Sequence, residues 1–253
     1  MLDRCWRIFG TGFSFAVFGV GGILLGLIVF PVMNLLARDR QRRINNARTV
    51  IRYAFRTYIE LMRFIGVLHY KVHGLEKLER GGLLILANHP TLLDTVFLMA
   101  FVKSADCIVK GALWNNPFTR GPVRGAGYIN NQGGAQLVDD CIASLERGNN
   151  LIIFPEGTRT PKNGVISMKR GAANVAVRGA RDITPVLLRC DPPTLQKGEK
   201  WWRVPPRRFE MRIEVQDDLA IAQFTEGATE VMAARQLTEF LENHFAGKCQ
   251  SHA

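Results

Sequence analysis

The sequence is poor in cysteine, and its few cysteines form no structural or metal-binding pattern. No two are spaced as CxxC, and the five occur as Cys5, Cys107, Cys141, Cys190 and Cys249. An odd and scattered set excludes a disulfide framework and a zinc-finger pattern, and it is compatible with a reducing compartment. The chain also lacks the G-x-S-x-G turn of serine hydrolases and any spacing typical of metal ligands.

Acidic residues are too few to balance the basic ones. Twenty-two Asp and Glu stand against 33 Lys and Arg, which leaves a net charge of +11 over 253 residues. This excess suits an anionic partner such as nucleic acid, a phospholipid surface or a phosphorylated substrate. Nucleic acid is disfavoured because much of the arginine lies beside an apolar segment and no strand interleaves aromatic with basic residues.

Charge is absent from the N-terminal segment at residues 8–37, a run of 30 residues. As a helix this run would extend about 45 Å, against about 30 Å of bilayer hydrocarbon. It is too long for the apolar core of a signal peptide, and no clear cleavage site follows it. The run therefore predicts a membrane anchor, kinked or ended in its core part by Pro31.

The residues that flank this run predict its orientation. Basic residues stand on both sides, with the larger cluster on the C-terminal side: Arg4 and Arg7, then Arg38, Arg40, Arg42, Arg43 and Arg48. Because the larger cluster marks the cytoplasmic side, the rest of the chain is expected on the cytoplasmic face of the inner membrane. The Gly22-x-x-x-Gly26 spacing is attributed to chance in a glycine-rich segment.

Residues 49–67 predict a second helix with a basic stripe on an apolar surface. Arg48, Arg52 and Arg56 recur at intervals of four beside aliphatic and aromatic residues. Next to an anchor, this pattern favours a helix that lies at the headgroup level against anionic lipid. Two alternatives stay open. The helix packs on the domain with a solvated basic face, or the two N-terminal segments form a hairpin embedded in one leaflet.

Beyond the N-terminal region, apolar runs alternate with segments of helical periodicity. Strands are predicted at residues 83–87, 106–109, 151–154, 183–188 and 208–215. Helices are predicted at 91–101, 136–147, 169–178 and 229–245, with loops at 110–127 and 191–207. The alternation predicts an α/β fold, with a mixed sheet flanked by helices and an N-terminal membrane helix. We divide the chain into an anchor with an interfacial helix, 1–69, and an α/β domain, 70–253.

A histidine and an aspartate follow the first of these strands. His89 comes just after the strand, and Asp94 stands five residues later at a helix start. The aspartate can accept the Nδ1 proton of the imidazole, which leaves Nε2 to act as general base on a substrate hydroxyl. In the structural alternative, Thr91 and Asp94 form a capping box, and Asp94 bonds only the backbone of its own helix.

A second polar segment, FPEGTR, follows another buried strand and ends at Arg159. Pro155 and Gly157 predict a tight turn that leaves backbone N–H groups, the Thr158 hydroxyl and the guanidinium facing outward. Because arginine can pair two oxygens at once, the turn suits phosphate. The alternative is an ordinary turn in which Arg159 pairs with Glu156. Two basic residues at the start of the next helix weaken that alternative: Lys169 and Arg170.

Together, the two segments resemble the signature of the lysophospholipid and glycerol-phosphate acyltransferase family. That signature is NHx4D, present here from Asn88 through His89 to Asp94, followed further along by FPEGTR. The resemblance covers roughly residues 70–215 and includes an apolar residue near a proline at 183–186. It implies acyl transfer from acyl-CoA or acyl carrier protein to a hydroxyl of a lysophospholipid or related membrane lipid. No metal or other cofactor is implied.

The resemblance also implies roles for single residues. His89 would be the base and Asp94 its orienting partner. The predicted substrate-binding residues are Asn88, Lys110, Arg124, Glu156, Gly157, Thr158 and Arg159. A membrane lipid-binding protein without turnover is the alternative, although the intact signature residues argue against a dead site.

One block departs from the family pattern. Family members usually place an arginine soon after a Gly-x-Ile/Val stretch, whereas here residues 127–129 lead to three amides: Asn130, Asn131 and Gln132. Lys110 and Arg124 are the candidates to replace the missing charge. Because an amide supplies no net charge, we expect an acceptor with a bulkier or less anionic head than lysophosphatidic acid. Examples are another lysolipid, an aminoacyl lipid or a glycolipid.

Overall fold

A mixed β-sheet lies at the centre of the computed structural model, which describes residues 2–36 and 39–250. The seven strands of this part of the chain are β1 Leu68–His73, β2 Leu84–Ala87, β3 Ala105–Val109, β4 Ile129–Asn130, β5 Asn150–Ile153, β6 Ile183–Asp191 and β7 Phe209–Val215. Their order across the sheet is β1-β7-β6-β2-β5-β3-β4. Neighbouring strands run parallel, except β6 and β7, which run antiparallel. The prediction of a mixed sheet is confirmed.

Helices cover both faces of this sheet. They are α1 Leu2–Leu24, α2 Phe30–Leu36, α3 Arg40–Phe64, α4 Asp94–Phe101, α5 Gly111–Asn115, α6 Arg120–Gly125, α7 Leu137–Glu146, α8 Gly171–Arg178, α9 Ala222–Thr225 and α10 Glu230–Gln250. Side chains of β2 alternate between two apolar cores, because successive residues of a strand point to opposite faces. Ile85 and Ala87 pack with α3 and α4, while Leu84 and Leu86 pack with α7, α8 and α10.

Two strands of the sheet, β1 and β4, were not predicted from the sequence. Strand β1 falls across the division proposed between residues 69 and 70, and it pairs with β7 along its whole length. Its alternating polar residues give it only weak apolar character, and β4 has only two residues. The segment 110–127, predicted as a loop with one helical turn, contains the two short helices α5 and α6.

The apolar N-terminal run is helical from Leu2 to Leu36, the last residue described before a gap at Ala37 and Arg38. Pro31 does not end it. A wider π-helical segment, Leu25–Val29, precedes α2 and accommodates the proline ring, which would clash with a carbonyl in a regular helix. By length and composition, this helix could cross a membrane.

The same helix lies along the domain at several glycines. A Cβ atom at Gly22 would stand 2.1 Å from the Phe118 carbonyl oxygen, and one at Gly26 would stand 3.1 Å from the Gly121 Cα. Gly12 packs in the same way on Trp201. The attribution of the Gly22–Gly26 spacing to chance is therefore wrong, because both glycines permit close contact with the segment around α6.

The basic stripe of α3 is divided between the core and the surface. Arg48 is buried, its Nη2 lies 2.7 Å from Asp106 Oδ2, and its Nε donates to the Ala126 carbonyl. Its prediction as a headgroup-facing residue is wrong, because this ion pair joins α3 to β3 in the protein interior. Arg56 remains exposed and lies over the ring of Phe101.

Candidate active site

The candidate site lies where three neighbouring parallel strands end. Strands β6, β2 and β5 are adjacent and parallel, so the segments that follow them meet at one edge of the sheet. The Thr160 N–H donates to the His89 carbonyl at 2.7 Å, which joins the loops after β5 and β2. The Leu92 N–H donates to the Leu195 carbonyl at 3.2 Å, which joins the loops after β2 and β6.

His89 and Asp94 lie within hydrogen-bonding distance at this edge. His89 Nδ1 is 2.7 Å from Asp94 Oδ2, and the imidazole is stacked on the ring of Phe154 with centroids 4.3 Å apart. Asp94 is fully buried, whereas the histidine side chain is 16% exposed. With a proton on Nδ1 directed at the carboxylate, Nε2 is the basic nitrogen. It makes no hydrogen bond to any residue that the structure describes.

The Asp94 carboxylate also accepts a backbone hydrogen bond. The Thr91 N–H donates to Oδ2 at 2.8 Å, so the capping contact and the histidine contact occur together. Oδ1 is buried and has no hydrogen-bond partner within the described residues. Burial raises the pKa of Asp94 to about 6, although the hydrogen bond from His89 opposes this effect. The carboxyl group is therefore mainly ionised at neutral pH.

Glu156 holds the backbone of His89. Its Oε1 accepts the His89 N–H and the Thr160 hydroxyl, each at 2.8 Å, and the residue is only 5% exposed. Burial raises the pKa of Glu156, while the hydrogen bond from Thr160 lowers it. Oε1 therefore stabilises the loop that carries the histidine, and the place in the acceptor pocket that the resemblance implied stays a prediction.

Asn88 joins β2 to β6. Its Nδ2 donates to the Leu188 carbonyl at 2.9 Å, and its Oδ1 accepts the Leu188 N–H at 2.8 Å. The side chain is buried and continues the pairing of the two strands beyond their last backbone contact. Asn88 therefore positions the start of the histidine loop, and its predicted contact with substrate stays a prediction.

Arg159 binds the loop that follows β6. Its Nη1 donates to the carbonyl oxygens of Leu195 and Gln196, at 2.7 and 2.9 Å. No ion pair with Glu156 occurs in the described part of the chain, so that alternative is wrong. The other N–H groups of this half-buried guanidinium make no hydrogen bond to described residues, and they are available to a phosphate oxygen.

The FPEGTR turn carries a cation that the predicted site left out. Gly157 has a φ of +65°, and a Cβ atom there would stand 3.0 Å from the Lys169 Nζ. The Lys169 N–H also donates to the Pro155 carbonyl at 2.9 Å, so the lysine side chain lies over the turn, in which Thr158 is half-buried. The basic pair at the start of the helix after the turn was the signal for this residue.

The segment that lacks the family arginine is organised by its amides. The Asn131 Oδ1 accepts the Gly111 N–H at 3.0 Å and so fixes the start of α5. Lys110 is exposed just before α5, and the Arg124 guanidinium lies 5.9 Å from the ring centroid of Trp114. Neither cation forms an ion pair with another described residue. Their predicted role in binding substrate stays a prediction.

An apolar cavity of about 420 Å³ lies beside the first turn of α4, and neither His89 nor Asp94 is among its lining residues. It lies between α1, α3 and α4, and residues on both sides of Asp94 line it, including Leu93 and Thr95. Its remaining walls are almost entirely aliphatic and aromatic. A cavity of this composition accommodates a hydrocarbon chain and offers little to a polar ligand.

Comparison with known proteins first defines the class of fold. The crystal structure of the Thermotoga maritima 1-acyl-sn-glycerophosphate acyltransferase PlsC is similar over 100% of this chain and 98% of that chain, with a TM-score of 0.72 and 19% identity. A family model described as Acyltransferase matches residues 69–189, which include both polar segments and the strands that carry them.

Relatives in sequence then identify the family. The Helicobacter pylori 1-acyl-sn-glycerol-3-phosphate acyltransferase is 30% identical over 174 residues, which are 66% of this chain and 68% of that protein. The chain belongs to this acyltransferase family. A Caenorhabditis elegans relative is 33% identical over 144 residues, and the matched part spans 50% of its length. The Pseudomonas aeruginosa 1-acyl-sn-glycerol-3-phosphate acyltransferase is 27% identical, with 62% of its length matched.

Proposed function

We propose that this chain transfers a fatty acyl group from a thioester to a hydroxyl of a lysophospholipid or a related lipid. The observation that supports this most strongly is the hydrogen-bonded His89–Asp94 pair, which lies in the same loop and helix start whose Leu93 and Thr95 line an apolar cavity. A base next to a hydrocarbon-binding space can bring an acyl thioester and an acceptor hydroxyl together. The names of the relatives favour the same reaction.

In this reaction His89 Nε2 takes the proton of the acceptor hydroxyl as its oxygen attacks the thioester carbonyl. The new C–O bond forms, the C–S bond breaks, and the departing thiolate recovers the proton from the imidazolium. The ionised Asp94 carboxylate holds Nδ1–H and stabilises the imidazolium while it exists. The donor is acyl-CoA or acyl carrier protein, and the chain supplies the base without a cofactor.

Two cations support the binding of a phosphate-bearing acceptor. Arg159 offers its remaining N–H groups, and the Lys169 ammonium lies over the turn between Pro155 and Thr158. Because amides replace the expected arginine, residues 130–132 supply no charge to the acceptor, and the nearby cations Lys110 and Arg124 are exposed. The proposal therefore includes acceptors with less anionic heads than lysophosphatidic acid.

The proposed setting is the cytoplasmic face of the inner membrane, with α1 and α2 embedded in one leaflet. If the helix crossed the bilayer upright, its close contacts at Gly22 and Gly26 would place polar residues of the domain, such as Asn116 and Arg120, inside the bilayer. A one-leaflet arrangement also leaves the basic residues at both ends of the run on one side. Modification of an engineered exposed cysteine in intact cells by a membrane-impermeant reagent would contradict this orientation.

The activity is tested with purified protein, one acyl chain, both donor types and a panel of lysolipid acceptors. We expect thiol release together with an equal amount of newly acylated lipid. Thiol release without a new lipid would indicate hydrolysis, and neither product would indicate binding alone. A panel of matched acceptors with one donor measures the preference for the headgroup. A clear preference for lysophosphatidic acid over every less anionic acceptor would contradict the proposed acceptor class.

A further inference from the structure

The segment 192–206, called the strap below, links the candidate site to helix α1. At the site end, the Leu195 carbonyl accepts hydrogen bonds from Leu92 N–H and Arg159 Nη1. At the helix end, the Pro206 carbonyl accepts a hydrogen bond at 2.8 Å from the buried Arg7 of α1. The strap is therefore fixed both to the catalytic loops and to the apolar N-terminal helix.

Two adjacent tryptophans form the outer edge of the strap. Trp201 packs on Gly12 and is in ring contact with Phe15 of α1, with centroids 6.1 Å apart. Trp202 stands at right angles to Trp201 and is 48% exposed. On α1, the exposed rings of Phe9 and Phe13 stack on each other with centroids 6.4 Å apart, and Phe9 is 64% exposed. So many exposed large aromatic side chains on one helix and the strap that packs on it are unusual for a protein surrounded only by water.

Cations accompany these tryptophans. The Lys200 Nζ lies 5.1 Å from the ring centroid of Trp202, and Arg203 follows directly in the strap. Neither has a carboxylate partner among the residues that the structure describes. Indole rings that present an apolar body and an N–H, flanked by lysine and arginine, match the headgroup layer of a bilayer that contains anionic lipid.

We propose that the Trp201–Trp202 edge of the strap lies in the lipid headgroup layer and is a second membrane contact besides the N-terminal helices. The inference rests on the proposed membrane setting of the enzyme. The packing of Trp201 on the apolar helix α1 and the cations beside the tryptophans together identify a lipid surface that contains anionic lipid as the partner. Because the strap also holds Leu92 and Arg159, this contact keeps the catalytic loops at the lipid surface from which the acceptor comes.

The test uses the full chain with a single tryptophan. Trp6, Trp114 and Trp201 are changed to Phe, which leaves Trp202, and His89→Ala is included so that no turnover alters the lipids. The protein is reconstituted in vesicles that contain phosphatidylglycerol and lipids brominated at shallow or deep positions. We expect Trp202 fluorescence to be quenched more by shallow than by deep bromines, and to be at least about threefold less accessible to aqueous iodide than the indole of Phe240→Trp in the same vesicles.

Two matched probes in a background without other tryptophans make the result decisive. Phe240→Trp places an indole on α10, which packs on the opposite face of the sheet, and it should remain accessible to iodide. Phe9→Trp reports on α1. Quenching by lipid at Phe9→Trp but not at Trp202 would overturn the strap contact and leave the membrane setting intact. Quenching at neither position would contradict the membrane setting, and the strap contact with it.

A protein partner on the same edge would give a different result. Protection of Trp202 from iodide by added acyl carrier protein in the absence of vesicles, without quenching by brominated lipid in their presence, would overturn the proposal. An independent measurement is the binding of the Trp202→Ala chain to the same vesicles. We expect about threefold to tenfold weaker binding, against no change for Phe240→Ala, because an exposed ring at the headgroup level contributes a modest apolar area. Equal binding of both variants would contradict the proposal.

Discussion

Glu156 offers a test of how the protein positions its base. Its carboxylate accepts a hydrogen bond from the backbone N–H of His89. Glu156→Ala therefore removes the acceptor of this hydrogen bond and leaves the imidazole unchanged. Glu156→Gln keeps a carbonyl oxygen at the same place and removes only the charge. The two variants therefore separate the position of the loop from the charge of the carboxyl group.

The magnitude follows from the two hydrogen bonds that Oε1 accepts, each of 2.8 Å. Leaving the part-buried His89 N–H without an acceptor costs about 1–3 kcal/mol. Movement of the loop by about 1 Å to relieve this cost can lower the rate about a hundredfold. We therefore expect kcat of Glu156→Ala to fall about tenfold to a hundredfold. Glu156→Gln should stay within about fivefold of the wild type, because the amide oxygen still accepts both donors.

The assay measures kcat and the acceptor KM for both variants, with Thr160→Val and Glu239→Gln as controls. Thr160→Val removes the second donor to Oε1, and Glu239→Gln removes an exposed charge on α10. Because burial raises the pKa of Glu156, its charge is disfavoured in the folded state, and Glu156→Gln should not lower the melting temperature. A raised acceptor KM with unchanged kcat in Glu156→Gln would refute this reasoning and place Glu156 in the acceptor pocket.

Three further predictions follow from the site. Arg159→Lys keeps the charge and loses the planar fork, so it should raise the acceptor KM about tenfold and leave the donor KM nearly unchanged; an equal rise in both would mean that Arg159 acts through the strap. kcat should fall as pH decreases through about 6, because protonated Asp94 no longer accepts the Nδ1 proton. A kcat that stays constant well below that pH would contradict the role of the carboxylate. Ala54→Phe narrows the cavity and should shift kcat/KM at least about tenfold toward shorter acyl donors, whereas an unchanged chain-length profile would place the acyl chain elsewhere.

The central part of the fold could be predicted because its signals are local. Strands β2 and β5 are short and consist mainly of buried apolar residues, and the polar residues of the candidate site come soon after each strand ends. The spacing of His89 and Asp94 left two arrangements open, a contact with the imidazole and a capping box, and the resemblance to the family signature favoured the first; the structure contains both contacts. That the two loops lie at one edge follows from the parallel pairing of β2 with β5, which was not predicted from the sequence.

Contacts between distant segments could not be predicted from a single sequence. The ion pair between Arg48 and Asp106 and the double hydrogen bond between Asn88 and Leu188 depend on which elements become neighbours. Hydropathy likewise identified the length and apolar character of the N-terminal helix but not the surface on which it packs. The contact of Gly22 with Phe118 shows that this helix belongs partly to the domain.

The central claim is that His89 acts as the general base of acyl transfer, and the steady-state kcat of His89→Ala for the formation of acylated lipid tests it most directly. The variant and the wild type are compared at saturating donor and acceptor, and circular dichroism and melting temperature verify that the variant is folded. The account predicts that kcat falls by about two to three orders of magnitude in His89→Ala and somewhat less in Asp94→Asn, which keeps the imidazole but loses its orienting charge. Near-normal turnover by folded His89→Ala would contradict it and leave Asp94 as a helix cap.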